Sequence, residues 1–426
     1  MCGIIGYIGK ESPVEILING LKNLEYRGYD SAGIALKNDD EIEVIKSVGK
    51  IKNLEEKVKN KELIKSNLGI AHTRWATHGK PSEKNAHPHT VGRVTLVHNG
   101  IIENAQELRD KLHQAGINLQ SETDTEVIAA LIDKYYKDDE EEAIIKTLDQ
   151  LKGSYALGIL FENSNSLYAV RKDSPLIVGL GEEEHFIASD IAAIIDYTNK
   201  YLLLEEKEIA KITKDEVVIT KDQKRVSKEI QTTNLEKDAK DKCGYEDYML
   251  KEIMEEPVVL EKTFEPYLNN LDNLPDLTDY EEIHIVACGS AMYAGMIGKT
   301  LLEEYANTKV EIDVASEYRY KNIIYDRKTL VILISQSGET ADTIAAMRKA
   351  KENNVKTLAI VNVKTSTIAR ESDSKIFIEA GPEIAVATTK AYILQVGIMA
   401  LLAYKTALRK NLVKENDKVL EEAKKL

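Results

Sequence analysis

The hydrophobic pattern of the chain changes at Glu282, and this change restricts the possible fold more than any other feature. Before it, short runs of strand-forming residues are separated by Gly, Asn or Asp turns, with amphipathic helical stretches between them. After it, wholly apolar strands alternate with helices. The first pattern predicts a layered α+β domain, and the second predicts an α/β domain with a parallel sheet covered on both faces.

Length and a polar segment give the domain boundaries. The chain has 426 residues, more than one ordinary domain. The sequence becomes polar and lysine-rich after the last strand-like run of the first half. We predict a first domain over residues 2–228, a linker over 229–247, and a second domain over 248–426 that opens on a helix. The longest apolar stretch, Ala391 to Tyr404, is too short to span a bilayer and predicts a buried helix.

Charge and cysteine content exclude several classes of function. The net charge of −14 argues against nucleic acid or an anionic membrane as the main partner, because both need a basic face. The three cysteines, Cys2, Cys243 and Cys288, form neither a disulfide framework nor a metal-binding CxxC pair. With no secretory signal at the N-terminus, these features predict a reduced, cytoplasmic location.

Cys2 is a candidate nucleophile. If Met1 is removed, the thiol and a free α-amine belong to the same residue, and an amine that titrates near ~8 can act as a base. The following strand would hold this terminus at a sheet edge, and Gly3 would let a substrate approach closely. The alternative is a small buried residue without a chemical role.

Several polar segments nearby supply what a glutamine substrate needs: a cation for its α-carboxylate, an anion for its α-ammonium and donors for the oxyanion formed on attack. These segments are LEYRGYDSAG (24–33), AHTRWATHGKPS (71–82), HNGIIEN (98–104) and SETDTEV (121–127). Together with CGIIGYIG and NAHPH, they resemble the class II (N-terminal-nucleophile) glutamine amidotransferases, and most closely the glutamine–fructose-6-phosphate aminotransferases. The resemblance covers almost the whole chain, and it implies an αββα glutaminase domain followed by a sugar isomerase (SIS) domain.

The resemblance also implies roles for individual residues. Cys2 is the nucleophile and its own amine the base, while the Asn99 side chain and the Gly100 backbone N–H form the oxyanion hole. Arg74 binds the glutamine carboxylate and Asp124 its ammonium. Further positions are Thr77 and His78 in the loop that closes over glutamine, Arg27 near the nucleophile, Trp75 at the gate of an ammonia channel, and His87 in a site loop.

Local interpretations of the same residues remain open. Asn99-Gly100, which we expect at the end of a strand, is also the sequence of a type I′ turn. Asp124 can be a helix cap as well as a ligand for an ammonium group. A metal site is suggested by clustered histidines, but no cysteine or carboxylate set completes a ligand pattern, so we expect no metal and no organic cofactor. The clustered histidines are His72, His78, His87, His89 and His98.

In the second half, CGSAMYAG and SQSGET each follow a buried strand and open a helix. Such helix starts bind anions, and the absence of nucleotide-binding glycine motifs favours a small phosphorylated ligand at the strand ends. Ordinary helix capping is the alternative. The loops resemble those of SIS domains, which implies that the sugar phosphate is held by Ser335, Gln336, Ser337 and Thr340, and that the sugar is bordered by Cys288, Gly289, Ser290, Val386 and Ala387.

Two departures from the family pattern qualify this expectation. Ala291 stands where the family usually has a hydroxyl, which predicts weaker sugar-phosphate binding by about 1 kcal/mol. The second SIS domain and C-terminal tail of the family are missing, so we expect this chain to complete only the glutaminase half of the reaction.

The expected partners are L-glutamine, fructose 6-phosphate and a second copy bound through the SIS domain. The sequence lacks the acidic Asp-Asp pyrophosphate loop and the SGGxDS loop expected of other class II amidotransferases. A phosphosugar-binding regulatory module with a vestigial glutaminase remains the alternative from a different class.

Overall fold

The computed structural model describes residues 2–25, 28–39, 41–75, 79–233, 243–325 and 328–414. The chain divides into two compact units, Met1–Lys240 and Asp241–Leu426. The point of division lies within the predicted linker, whose own bounds stay a prediction.

The first unit is built mainly of short strands, as its turn-rich sequence predicts. In chain order they are β1 (Gly3–Ile8), β2 (Ser31–Lys37), β3 (Ile42–Val48), β4 (Leu68–Arg74), β5 (His89–Val91), β6 (Val94–Ile102), β7 (Gly153–Phe161), β8 (Leu167–Lys172), β9 (Ile177–Leu180), β10 (His185–Ala188), β11 (Lys200–Leu203), β12 (Ile209–Ile212), β13 (Val217–Lys221), β14 (Lys224–Arg225) and β15 (Gln231–Thr232). The helices are α1 (Pro13–Leu24), α2 (Ile51–Lys59), α3 (Ala105–Gln114), α4 (Asp124–Tyr135) and α5 (Glu140–Leu148).

These strands form two antiparallel sheets that pack face to face. One has the order β15-β11-β9-β10-β1-β4-β2-β3, and the other has the order β14-β13-β12-β8-β7-β6-β5. Side chains from both sheets share one buried cluster, with Ile4 and Ile70 on one side and Val97 and Leu160 on the other. Further clusters join α1 and α2 to the outer face of the first sheet, and α3, α4 and α5 to that of the second. The layers therefore run αββα, which confirms the predicted fold class of this domain.

Strand β1 lies in the interior of its sheet, between β10 and β4. All six of its residues are buried. A strand covered by a helical layer on one face and a second sheet on the other needs apolar residues at successive positions, and GIIGYI meets this need. Cys2 was expected at an edge of its sheet, and this expectation is wrong because β1 has a paired strand on each side. Cys2 precedes the first residue of an interior strand.

The second unit holds a five-stranded sheet of order β17-β16-β18-β19-β20, in which all strand pairs are parallel. Its strands are β16 (Glu282–Ala287), β17 (Lys309–Val314), β18 (Thr329–Ser335), β19 (Lys356–Val361) and β20 (Ser374–Phe377). Its helices are α6 (Tyr248–Asn269), α7 (Gly289–Ala306), α8 (Ala315–Tyr318), α9 (Ala341–Glu352), α10 (Thr367–Glu371) and α11 (Lys390–Arg409). Helices α6, α7 and α11 share a core with one face of the sheet, and α8, α9 and α10 with the other. The predicted covered parallel sheet is confirmed.

The strand order of the second unit reverses beside β16. The chain leaves β16 through α7 toward β17, whereas β18 leads through α9 to β19 on the opposite side. The crevice outside the carboxyl ends of two such strands is the common ligand position in open α/β sheets. The two motif loops predicted from sequence follow β16 and β18, so they meet at this crevice.

Within the described residues, one helix, Lys390–Arg409, is long and apolar enough to cross a membrane. Over half of its most apolar window, 56%, is buried inside the protein. Leu394, Ile398 and Leu402 contribute to the core of the second unit. This packing is that of a core helix, as predicted from sequence.

Candidate active site

Cys2 is held at the start of β1 by contacts from two neighbouring strands. Its Sγ lies 3.2 Å from the backbone N–H of Trp75, which follows β4. On the other side, the Ile4 N–H donates to Ser189 Oγ at 3.0 Å, and the Ser189 N–H donates back to the Ile4 carbonyl at 3.0 Å. Cys2 is half-buried, and its thiol is held by the Trp75 backbone.

Gly3 does not have the role expected from sequence. A Cβ at this position would lie 2.8 Å from Leu24 Cβ and 2.9 Å from Thr73 Cγ2. The space above Gly3 is therefore filled by α1 and β4, and the expectation that substrate approaches there is wrong. The glycine allows close packing of the strand that carries Cys2.

Asn99 and Gly100 lie inside β6 and pair with Ala156 and Tyr155 of β7. The prediction of an Asn-Gly turn is therefore wrong, because the strand continues to Ile102. Gly100 has a φ of 136°, and a Cβ there would lie 2.1 Å from the Ser154 carbonyl oxygen. Only glycine suits this position of the strand.

The Asn99 side chain reaches from the second sheet to the nucleophile. Its Nδ2 donates to the Cys2 carbonyl oxygen at 3.1 Å. Its Oδ1 lies 3.0 Å from His72 Nε2, and the same nitrogen lies 3.0 Å from the His98 carbonyl oxygen. The structure thus brings Cys2 and Asn99 together, although 97 positions separate them in sequence.

Four histidines lie buried behind Asn99. The rings of His72 and His87 stack with their centroids 4.0 Å apart, and His87 meets His89 edge-on at 5.0 Å. Thr125 Oγ1 lies 2.7 Å from His87 Nε2 and 3.1 Å from His98 Nδ1. Among the described residues, no group of three or more His, Cys, Asp or Glu side chains has the arrangement of a metal site.

Burial keeps three of these rings neutral. It lowers the pKa of His72 to about 3 and that of His89 to about 2, and it holds the pKa of His87 well below its usual range. Neighbouring positive charge on Arg74 acts in the same direction on all three. A neutral imidazole donates from one nitrogen only, so each ring has one defined tautomer.

Arg74 ends β4 and is 3% exposed. Its Nη2 donates to the Gly79 carbonyl oxygen at 3.2 Å. Burial lowers the pKa of the guanidinium, while negative charge on Asp30, Cys2 and Asp124 favours its charged form. An arginine stays protonated under such conditions. The site therefore contains a buried cation close to the nucleophile.

Asp124 is the first residue of α4, but it is not the helix cap. Thr123 caps the helix by accepting from the Glu126 N–H, so the interpretation of Asp124 as a cap is wrong. Instead, Asp124 Oδ2 accepts from the Ile102 N–H at 2.9 Å, and Oδ1 lies 3.9 Å from His98 Nδ1. The carboxylate is buried at the end of β6, two residues beyond Gly100.

Trp75 is 43% exposed and meets Tyr29 edge-on, with ring centroids 5.4 Å apart. Its backbone contacts the Cys2 thiol, so this aromatic pair lies beside the nucleophile. Three other predicted site residues, Arg27, Thr77 and His78, lie outside the described part of the chain.

The loop after β16 carries Cys288, Gly289 and Ser290. Cys288 is half-buried and precedes α7, whose first two residues, Gly289 and Ser290, are exposed at the strand end. Ala291 is partly buried and packs against the core cluster of this unit. The predicted effect of the missing hydroxyl at this position stays a prediction.

The loop after β18 is folded by its own hydroxyl groups. Ser335 Oγ accepts from the Gly338 N–H at 3.0 Å and lies 3.2 Å from Thr340 Oγ1. Ser337 Oγ accepts from the Glu339 N–H at 3.2 Å. Gln336 is only partly buried, and its carbonyl accepts from the Asn362 N–H at 3.2 Å. The hydroxyl groups of Ser335 and Ser337, which were expected to bind the sugar phosphate, thus also accept hydrogen bonds that shape the turn.

Val386 and Ala387 are exposed in the segment before α11, and Val386 is 73% exposed. The two residues just before Val386 are held by α6. Glu252 of this helix accepts from the Ala385 N–H at 3.0 Å and from the Ile384 N–H. Glu252 is buried, and burial raises its pKa. A carboxylate on α6 therefore holds the segment that presents Val386.

Sequence reasoning missed two residues that the site depends on. His72 lies within AHTRWATHG, but from sequence it was named only as one of the clustered histidines. Glu252 lies on a helix with no motif. The signal for His72 was available: a histidine at an inward position of an otherwise small and apolar strand needs a polar partner.

Comparison with known proteins adds an independent observation. A glutamine amidotransferase domain model matches residues 72–196, and a SIS domain model matches residues 276–405. Among solved structures, the C-terminal domain of glucosamine-fructose-6-phosphate aminotransferase from Francisella tularensis is 37% identical, covers 43% of this chain and 55% of that chain, and has a TM-score of 0.41.

Similarity to curated proteins extends over the full chain. Glutamine–fructose-6-phosphate aminotransferase [isomerizing] from Clostridium tetani is 49% identical over 100% of this chain and 71% of its own length. The protein of the same name from Caldanaerobacter subterraneus is 46% identical over 100% of this chain and 72% of its own length. That from a strain of Thermus thermophilus is 45% identical over 95% of this chain and 68% of its own length. The chain belongs to the glutamine–fructose-6-phosphate aminotransferase family.

Proposed function

We propose that this chain releases ammonia from L-glutamine at Cys2 for the amination of fructose 6-phosphate, giving glutamate and glucosamine 6-phosphate in the complete reaction. One observation carries the proposal. The Asn99 amide reaches Cys2 from the opposite sheet with its N–H₂ end, at 3.1 Å from the Cys2 carbonyl oxygen. An amide donor held by the residue that carries the thiol suits attack on a carboxamide, because its second N–H can serve the oxyanion.

The first chemical step is formation of a thioester. After removal of Met1, the α-amine of Cys2 takes the Sγ proton, and the sulfur attacks the side-chain carbonyl carbon of glutamine. A C–S bond forms and the carbonyl electrons move to oxygen, where the Asn99 Nδ2 and the Gly100 N–H stabilise the negative charge. The oxyanion then collapses, the C–N bond breaks, and the amine proton leaves with ammonia. Water then attacks the thioester carbonyl carbon while the Cys2 amine takes its proton; the C–S bond breaks, the amine returns the proton to sulfur, and glutamate leaves.

Recognition of glutamine rests on two buried charges. Arg74 is a charged, buried guanidinium that suits the substrate α-carboxylate, since arginine binds carboxylates through two parallel hydrogen bonds. The Asp124 carboxylate suits the α-ammonium group. Thr77 and His78 belong to the loop that we propose closes over the amino acid, Arg27 supports the surroundings of the nucleophile, and Trp75 gates the passage of ammonia.

The second unit is proposed to bind the sugar phosphate. Cys288, Gly289 and Ser290 lie at the strand end beside the loop of Ser335, Gln336, Ser337 and Thr340, where the order of the parallel sheet reverses. Helix N-termini and hydroxyl groups at such a position favour a phosphate. Val386 and Ala387 border the sugar. We also infer that two copies associate through this unit and that the protein acts in the cytoplasm.

The test is release of glutamate from glutamine by the parent chain and by Cys2→Ala, with and without fructose 6-phosphate. We expect release by the parent and a loss of at least a thousandfold in the variant, because the nucleophile is gone. Intact mass should show that Met1 is absent from the active protein. Absence of Cys2-dependent release would overturn the proposal and favour a phosphosugar-binding module with a vestigial glutaminase.

A further inference from the structure

We propose that His72 is a positioning residue that fixes the orientation of the Asn99 amide, so that its N–H₂ end faces the nucleophile. The inference deepens the proposed function and rests on it, because Asn99 acts there as an oxyanion donor. His72 itself does not contact Cys2 in any hydrogen bond that the structure describes. It acts through Asn99.

Two backbone carbonyls show which atom is the donor at each end of the Asn99 amide. The Cys2 carbonyl oxygen is an acceptor only, so the Asn99 atom 3.1 Å away from it must be the nitrogen. At the other end, the His98 carbonyl oxygen lies 3.0 Å from His72 Nε2, so that ring nitrogen must carry the hydrogen. The donor Nε2–H then requires an acceptor at the remaining contact, and this acceptor is Asn99 Oδ1 at 3.0 Å.

A flipped amide would have no favourable partner at either end. Its N–H₂ group would face the N–H of His72, and its carbonyl oxygen would face the carbonyl oxygen of Cys2. Both contacts are buried or partly buried, where polar groups without partners are costly. His72 therefore selects one of the two orientations of Asn99, and that orientation directs a donor toward the reacting centre.

His72 is itself unable to move away. It is 0% exposed and lies in β4, where its backbone is in register with Ile4 of β1 and Gly33 of β2. Its ring stacks on that of His87 at 4.0 Å. The ring therefore has a fixed plane and a fixed tautomer, as a positioning residue requires.

The neighbouring histidines have different partners. His87 contacts Thr125, and His89 contacts Thr123 Oγ1 at 3.1 Å. Within the described part of the chain, His72 is the side chain whose hydrogen bond to Asn99 Oδ1 the structure records. The effect of losing the donor is thus specific to position 72.

The experiment compares three variants of the full chain with the parent. His72→Met removes the donor but keeps a similar buried volume, and His72→Gln restores an N–H donor at a comparable distance from the backbone. His185→Met is the matched control, because His185 is also buried in the same sheet but pairs with Ile8 at the far end of β1. For each protein we would measure kcat and KM for glutamine hydrolysis.

A second measurement separates positioning from general damage. Iodoacetamide alkylates Cys2 by displacing iodide, a step that forms a C–S bond without an oxyanion. We would follow it by mass spectrometry of the N-terminal peptide. His72→Met should lower kcat by about a hundredfold, since losing one oxyanion donor costs about 10²–10³ in rate. KM and the alkylation rate should stay within about threefold of the parent.

The outcomes are distinct. His72→Gln should recover at least tenfold of the lost kcat, and His185→Met should stay close to the parent. The inference is overturned if His72→Met keeps the parental kcat, or if kcat, KM and alkylation all change together in both methionine variants. If the parent itself shows no Cys2-dependent glutamate release, the proposed function fails first and this inference fails with it.

Discussion

At the residue scale, the candidate site depends on backbone positions as much as on side chains. Gly100 shows this most clearly, because its φ of 136° and the Ser154 carbonyl oxygen, 2.1 Å from where a Cβ would lie, both exclude a side chain. Its neighbour Asn99 contacts Cys2, so any shift of the strand at Gly100 moves the amide donor.

We therefore expect Gly100→Ala to lower glutamine hydrolysis by at least a hundredfold and to lower the melting temperature of the first unit. The strained backbone alone costs about 1–3 kcal/mol, and the clash with Ser154 adds to this. The matched control is Gly116→Ala, where φ is 80° but no atom lies within 4 Å of the added Cβ. Equal losses in the two variants would contradict a specific role for the contact at Gly100.

At this scale, the sequence was enough to identify residues of the candidate site, but not the backbone contacts that hold them in place. Cys2, Arg74, Asn99 and Asp124 were all named from motifs, and the described structure brings Asn99 to Cys2 by a direct hydrogen bond. The alternative interpretations of Asn99-Gly100 as a type I′ turn and of Asp124 as a helix cap were wrong. Both expectations used local propensities, whereas long-range pairing with β7 and capping by Thr123 decide these positions.

At the element scale, the amphipathic stretches expected in the first half include α1 and α4, whose apolar residues lie three and four apart. The helix expected at the start of the second domain is α6. Helix α2 was not foreseen. It buries only Ile51, Leu54 and Val58 among charged residues, which gives a weak periodic signal. The pairing order of the strands was also beyond sequence reasoning, since non-local contacts set it.

Strands β4, β5 and β6 enclose the buried histidines, and this predicts that acid weakens the first unit. In the unfolded chain a histidine binds a proton near pH 6.5, whereas the pKa of folded His72 is about 3. Between these values the unfolded state holds more protons, so stability falls as pH falls, by about 1.4 kcal/mol per pH unit for each such ring.

The measurement is urea unfolding at pH 7 and pH 5, followed by fluorescence of Trp75, the single tryptophan of the chain. Both pH values lie above the ordinary pKa of a glutamate carboxyl group, including those whose pKa is lowered in the folded protein, such as Glu43 and Glu55. The midpoint should fall at pH 5, and His72→Gln should reduce the pH dependence. A midpoint equal at both pH values would contradict the prediction.

At the scale of the whole molecule, the described residues of the proposed glutaminase site all belong to the first unit. Among the described residues, the clusters that hold its two sheets and its helices together consist of side chains of the first unit. We therefore expect residues 1–233 alone to fold and to release glutamate from glutamine with a kcat within about tenfold of that of the full chain.

The check is a single cooperative melting transition of the 1–233 fragment, together with its rate of glutamate release. Cys2→Ala in the same fragment is the control and should be inactive. A fragment that folds cooperatively but releases no glutamate would show that the second unit contributes to the chemistry of the first.

The orientation of the Asn99 amide has a consequence for how such a site changes over evolutionary time. The acceptors that decide it are the carbonyl groups of Cys2 and His98, which every amino acid at those positions would also supply. Substitutions around the site can therefore accumulate without reversing the amide, provided that β1 and β6 keep their places and position 72 keeps a donor. The placement of the strands therefore preserves the direction of the Asn99 amide, and the side chain at position 72 is the part of this arrangement that a substitution can change.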